Sequence, residues 1–118
     1  MIKASALLTT ALFTAALPVL ASAAGAGRDD AQIKKGEAVY TAQKCSMCHQ
    51  IAGKGSPKSK LDGMSLSAAT IKGWLMDPVK AAADKKPPST MTPKMPTKYK
   101  SLPAADLDAL VAYVLSVQ

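Results

Sequence analysis

The sequence predicts a small all-α fold with three main helices, and three observations indicate it. After about residue 29, apolar residues recur at helical spacing in three segments, and no segment alternates apolar and polar residues as a half-buried strand does. Glycine and proline concentrate in the stretches that separate these segments. The first segment ends at a short motif, CSMCH over residues 45–49, which a plain helical bundle does not require.

An apolar stretch precedes the first helix. Lys3 gives it a positive start, residues 6–20 are rich in Ala and Leu, and residues 21–23 (ASA) form a small-residue cleavage site. We therefore expect residues 1–23 to be a cleaved signal peptide and residues 24–118 to be one domain in the periplasm, without stable membrane insertion. The alternative is an uncleaved anchor, because the run approaches the ~20 residues that span a bilayer.

The first helix begins at an acidic cap and is predicted to end near Lys44. Asp29 or Asp30 serves as the N-cap, with its negative charge at the positive end of the helix dipole. Gly36 lies inside this helix at a cost of about 1 kcal/mol relative to Ala. A close crossing with another helix at Gly36 explains that cost, and a merely tolerated glycine is the alternative.

Loops flank the second helix on both sides. Residues 53–63 are rich in Gly, Ser and Lys and indicate a loop, after which Ser67 caps a helix that runs to Met76 and is stopped by Pro78. Residues 85–100 contain four of the eight prolines, so we expect an extended loop of the kind that is usually functional or disordered.

The last helix is predicted to start near Pro103, a proline of the first helical position. Five apolar residues form one stripe along it. They are Leu107, Leu110, Val111, Val114 and Leu115.

The motif at residues 45–49 indicates covalent haem. Cys45 and Cys48 lie three residues apart, on one side of a helical turn, where their thiols can reach the two vinyl groups of one porphyrin. His49 follows directly and is placed to bind the iron as its proximal ligand.

Three other interpretations of the two cysteines are less well supported by the sequence than haem attachment. A thioredoxin-like redox pair lacks the surrounding βαβ pattern. A structural zinc site needs four ligands, and the chain has two cysteines and one histidine. A disulfide across two residues closes too small a loop to stabilise much.

The second axial ligand of the iron is not a second histidine, because the chain has only one. Methionine is preferred over lysine, water or a vacant position, since a thioether suits low-spin haem iron and raises its reduction potential. Four of the six methionines are poorer candidates. Met1 is in the signal and Met47 is inside the motif, while Met64 is near the proximal segment and Met76 is beside core residues. Met91 and Met95, both in the proline-rich loop, remain.

Taken together, the chain resembles a class I c-type cytochrome. Five segments carry the resemblance, in the order of that family: Gly36-x-x-x-Tyr40, the CSMCH motif, residues 74–78 (WLMDP), Met95-Pro96 and residues 110–114 (LVAYV). The resemblance implies a small cytochrome c-like fold, with three main helices around one haem c held through Cys45 and Cys48. It also implies His49 and Met95 as the axial ligands, with Met95 preferred over Met91.

The resemblance implies two further contacts. In the family, a proline carbonyl after the motif accepts a hydrogen bond from the proximal imidazole and fixes its orientation, and Pro57 is the matching proline. This chain departs from the usual Gly-Pro-x-Leu-x-Gly run by an insertion within residues 55–63. Trp74 is either a haem propionate contact, as tryptophans of this region often are in the family, or a core residue.

The charge distribution suggests the kind of partner. The chain carries a net charge of +7, which becomes +6 when cleavage removes Lys3. Lysines flank both halves of the expected haem crevice: Lys44, Lys54, Lys94, Lys98 and Lys100. They would steer the protein toward redox partners with acidic docking surfaces, although a charged surface also simply keeps a domain soluble. Nucleic-acid binding is not expected, since the chain is exported and has no recognised motif.

The expected function is electron transfer by a monomeric carrier that is not itself an enzyme. The haem c subunit of a larger periplasmic dehydrogenase or sulfur-oxidising complex is the alternative, and the sequence does not separate the two. A peroxidase-like catalyst fits less well, because His49 is committed to the iron and Arg28 is the only arginine.

Overall fold

Four α-helices and a short hairpin make up residues 29–118, the part of the chain that the computed structural model describes. The predicted signal peptide, residues 1–23, lies outside the described residues. The helices are α1 (Asp30–Ala42), α2 (Ala68–Met76), α3 (Pro78–Asp84) and α4 (Ala104–Ser116). The antiparallel strands are β1 (Gln50–Ile51) and β2 (Lys54–Gly55), and 3₁₀ turns lie at Cys45–Met47 and Thr97–Ser101.

Helices α1 and α4 cross closely at Gly36, as the sequence predicted. A Cβ atom on Gly36 would lie 2.0 Å from the carbonyl oxygen of Ala109 and 2.6 Å from the Cβ of Tyr113, so only glycine permits this approach. The ring of Tyr113 meets that of Tyr40 edge to face, with centroids 5.4 Å apart. An ion pair of 3.0 Å between Lys35 and Asp106 also joins the two helices.

The predicted caps of the first two helices are confirmed. The Asp29 carboxylate accepts a hydrogen bond from the Ala31 amide at 3.1 Å, and the Ser67 hydroxyl accepts one from the Thr70 amide at 3.1 Å. Helix α1 ends at Ala42, two residues before the predicted end. Lys44 adopts a left-handed conformation with φ 57°, which a continuing helix does not allow.

The region after α2 is more regular than the sequence indicated. Pro78 was expected only to stop α2, but it also occupies the first turn of α3, and the Asp77 carboxylate caps that helix through the Lys80 amide at 3.0 Å. The described residues therefore have four helices where three main ones were expected. Pro103 is the residue before α4 and not its first residue.

The core lies between α4 and the elements around it. Four of the five residues in the predicted stripe of α4 are buried and Leu115 is half-buried, and the core also draws residues from α1, β1, α2 and the second 3₁₀ turn. The buried members from those other elements are Tyr40, Ile51, Ile71, Leu75 and Tyr99. Within residues 29–118, no helix combines the length and the apolar character that crossing a membrane requires.

Candidate haem site

A largely apolar cavity of about 470 Å³ opens beside the core. Its volume falls in the range of roughly 300–1,000 Å³ that is usual for small-molecule and cofactor sites. Helices α1, α2 and α4 contribute Tyr40, Trp74 and Leu110 to its wall, and α3 and the two long loops supply the remainder. Tyr40 and Leu110 are also core residues, so the cavity borders directly on the core.

The backbone of the CSMCH motif winds into one tight turn. The left-handed Lys44 ends the path of α1, after which the Cys45 carbonyl accepts hydrogen bonds from the amides of Cys48 at 3.1 Å and His49 at 2.9 Å. These bonds hold both cysteines and the histidine around a single turn. The geometry is the one that the i, i+3 spacing predicted for two attachments to one ligand.

The two thiols lie at the cavity and at its edge. Cys45 lines the main cavity, and Cys48 lines an adjoining hollow of about 140 Å³ together with Met91. The two cysteines do not form a disulfide with each other. Burial raises the pKa of Cys45 to about 11, and nearby Lys98 opposes this only in part. Redox-active cysteines have lowered pKa values, so this environment argues against a thioredoxin-like pair.

The imidazole of His49 reaches the cavity in a form that suits metal binding. Burial lowers the pKa of His49, and the nearby backbone of Ser59 partly opposes that shift. The neutral ring is therefore favoured, and a neutral imidazole is the form that ligates a metal. The Nδ1 atom lies 2.9 Å from the hydroxyl oxygen of Ser59, which leaves Nε2 as the remaining ring nitrogen for a ligand.

The expected contact between His49 and the Pro57 carbonyl is wrong. Ser59 stands at Nδ1, and Pro57 is exposed in the turn that precedes it. The insertion within residues 55–63 lengthens this loop, and pairing with β1 then sets which residue faces the imidazole. Sequence reasoning missed Ser59, because its position depends on the register of that pairing and not on a local pattern.

Three methionines line the cavity: Met64, Met91 and Met95. The sequence named Met91 and Met95 as the two leading candidates for the second axial ligand, and the structure brings both to this space. Met47 is 72% exposed and lies outside it. Met76 was expected to pack among core residues, but it is 42% exposed because it follows the last inward-facing residue of α2, Leu75.

The cavity wall has the chemistry that a porphyrin needs. Trp74 is half-buried on this wall and Gly73 adjoins it, where an added Cβ would have no atom within 4 Å. One thiol, a half-buried imidazole and three thioethers thus line one largely apolar space, and the second thiol lines the adjoining hollow. Lys85 lines the cavity and Lys58 lines the smaller hollow, so both are basic residues of the rim that sequence reasoning did not single out.

These features define a haem protein of the c type. The sequence model of the cytochrome c family matches residues 33–118, and the chain belongs to this family. It is a small, mostly helical domain that carries haem c covalently through Cys45 and Cys48, and the family serves electron transfer between redox partners. A search of curated proteins and a search of solved structures each found no match to the chain.

Proposed function

We propose that this protein is a periplasmic single-electron carrier whose haem iron is bound by His49 and Met95. The observation that carries the proposal is the cavity itself, which gathers Cys45, His49 and Met95 around one apolar space. When bound, haem c supplies the Fe(II)/Fe(III) couple. The chain holds the two ligands, excludes water with apolar walls and presents one edge of the site to partners.

Met95 is preferred over Met91 because of where each side chain packs. Met95 is half-buried and packs against the hydrophobic core, as the partly buried Cys45 and Leu61 also do. Met91 lines both the cavity and the outer hollow beside Cys48, which places it at the edge of the site. A ligand held by the core is the better choice for an iron that must change oxidation state with little rearrangement.

A catalytic role is disfavoured by the residues that remain once both ligands are assigned. The only histidine of the chain is the proximal ligand, so no second imidazole is left for acid–base chemistry. A methionine in the sixth position also closes the iron to small substrates. Electron transfer needs neither an open position nor a proton donor, so the protein is proposed as a carrier and not an enzyme.

Lysines surround the site and favour an acidic partner. Lys58 and Lys85 line its two hollows, and the Lys98 ammonium lies 5.5 Å from the ring centre of Tyr99 and close enough to Cys45 to affect its thiol. Among the described residues, none of these three forms an ion pair with a carboxylate. Their charge is therefore available to steer a partner, and association should slow as salt is added.

The optical spectrum of the oxidised holoprotein tests the ligand pair. The full chain is expressed with periplasmic haem attachment, and the purified protein is expected to begin at residue 24. We expect the weak red charge-transfer band of a thioether–Fe(III) bond in the wild type and in Met91→Ala, and its loss in Met95→Ala.

Two results would contradict this assignment. Loss of the band in Met91→Ala with retention in Met95→Ala would exchange the roles of the two methionines. A high-spin spectrum of the wild type would mean an open sixth position, and the catalytic alternative would then replace the carrier.

A further inference from the structure

We infer that Ser59 is the positioning residue of the axial imidazole: its hydroxyl accepts the Nδ1–H of His49 and thereby tunes the reduction potential. The inference rests on the proposed role of His49 as an iron ligand. The resemblance had suggested the backbone carbonyl of Pro57 as the acceptor of the imidazole N–H. The inference gives this role to the side-chain hydroxyl of Ser59.

The two side chains are in hydrogen-bond contact. The distance between the Nδ1 of His49 and the Oγ of Ser59 is 2.9 Å, which is the ordinary length of a good hydrogen bond to nitrogen. Both residues are half-buried, and both line the cavity. Burial limits the access of water that could otherwise take the place of the hydroxyl.

The backbone beside each residue fixes this contact. Gln50, which follows His49, donates from its amide to the Ser59 carbonyl at 2.8 Å. The Leu61 amide donates in turn to the Gln50 carbonyl at 3.0 Å. These two bonds form a short parallel bridge between Gln50 and Lys60, which sets the register in which Ser59 lies opposite the imidazole.

The direction of the hydrogen bond follows from the ligand role of the ring. Iron binding through Nε2 leaves the single proton of the neutral imidazole on Nδ1, so the Ser59 oxygen accepts and no proton is transferred. An acceptor at this position increases the electron density of the ring and makes it a stronger donor to iron. A stronger donor favours Fe(III) over Fe(II), so Ser59 lowers the reduction potential.

Substitution of Ser59 tests this inference through the reduction potential. We expect Ser59→Ala to raise the potential while the thioether charge-transfer band persists, and Ser59→Thr, which keeps a hydroxyl, to return the potential toward the wild-type value. Ser56→Ala is the matched control, because within residues 29–118 the Ser56 hydroxyl accepts a hydrogen bond only from the Lys58 amide, at 3.4 Å. An unchanged potential in Ser59→Ala, with the band present, would overturn the inference.

A measurement on the wild type keeps the inference testable if Ser59→Ala does not retain haem. In the NMR spectrum of the reduced holoprotein, we expect the Nδ1 proton of His49 to show a nuclear Overhauser effect to the β protons of Ser59 and slow exchange with water. An Overhauser effect to Pro57 instead, or rapid exchange, would refute it. Absence of the thioether band alone would refute the Met95 ligand and leave this contact standing.

Discussion

At the residue scale, one glycine holds the hairpin against the haem motif. Gly55 has φ +103°, and an added Cβ would lie 2.2 Å from the carbonyl oxygen of His49 and 2.9 Å from that of Ser46. The Ser56 amide also donates to the Ser46 carbonyl at 3.0 Å. The backbone of the motif therefore has β2 directly against it, and only a residue without a side chain fits between them.

Replacing Gly55 by alanine should destabilise the holoprotein and disturb the environment of His49. Gly53 provides the matched control, because its φ is also positive, at +76°, yet an added Cβ would meet nothing within 4 Å. Both substitutions carry the left-handed cost of roughly 1–2 kcal/mol. Gly55→Ala should add about 1–3 kcal/mol for the steric overlap. Urea unfolding curves of the two variants measure the difference in stability between them. Equal midpoints would show that the neighbouring backbone moves to accommodate the new methyl group at little cost.

At the element scale, the crossing of α1 and α4 sets the frame in which the cavity forms. The two helices approach through a glycine and are joined by an aromatic pair and an ion pair, so the crossing has a defined position along both helices. One face of α4 then packs against the core, while Leu110 and Val114 also line the cavity. A shift at the crossing would therefore be transmitted to the site.

Whether Gly36→Ala stabilises or destabilises the protein tests the crossing of α1 and α4. Alanine normally stabilises an exposed helix interior by about 0.5–1 kcal/mol relative to glycine. Gly36→Ala should do the opposite and destabilise the protein by roughly 1–3 kcal/mol, because the backbone of Ala109 occupies the space of the new methyl group. The exposed, neighbouring Lys34→Ala should stay within about 0.5 kcal/mol of the wild type. Thermal unfolding, monitored by circular dichroism, compares the stability of the two variants. A stabilised Gly36→Ala variant would contradict the close crossing.

The sequence predicted those features of the helices that depend on residues close together in the chain. The caps of α1 and α2 and the buried stripe of α4 follow from side chains within a few residues, and the structure confirms them. Helix α3 was missed because Pro78 was interpreted only as a stop. The pair Asp77 and Pro78 is equally suited to begin a helix, and packing decides between the two uses.

The candidate site was predictable in its chemistry and less so in its surroundings. The CSMCH spacing is local, so it pointed to the two thiols and the imidazole directly. Ser59 was not predictable, because its place beside His49 depends on the pairing of residues that are ten positions apart in the chain. Met91 and Met95 both reach the cavity, and in the sequence only the resemblance at Met95-Pro96 separated them. The packing of Met95 against the core supports the same choice.

At the scale of the whole molecule, the haem cavity is large in relation to the core. An unfilled cavity of about 470 Å³, at about 24 cal/mol per Å³, corresponds to a loss of up to about 11 kcal/mol, and entry of water would reduce that figure. The total stability of a domain is roughly 5–15 kcal/mol. The polypeptide alone is therefore not expected to keep this structure.

Removing both thiols tests this dependence on the cofactor. The double variant Cys45→Ala/Cys48→Ala, purified without haem, should lose most of its helical circular dichroism and show no cooperative unfolding transition. Met47→Ala is the control within the same motif, because that side chain is 72% exposed and its loss should leave haem attachment and helicity intact. A haem-free double variant that unfolds cooperatively with native helicity would contradict the expectation.

The burial of Cys45 also has a consequence for the order of assembly in time. In this structure Cys45 is half-buried, and burial raises the pKa of its thiol to about 11, so little reactive thiolate would form near neutral pH. The cavity that Cys45 lines takes residues as far apart in the chain as Tyr40 and Val114, so it needs nearly the whole described chain to be present. Haem attachment is therefore expected to come first, while the chain is still open and the Cys45 thiol is accessible. The rest of the chain would then fold around a group that is already bound, in keeping with a polypeptide that is not expected to keep this structure alone.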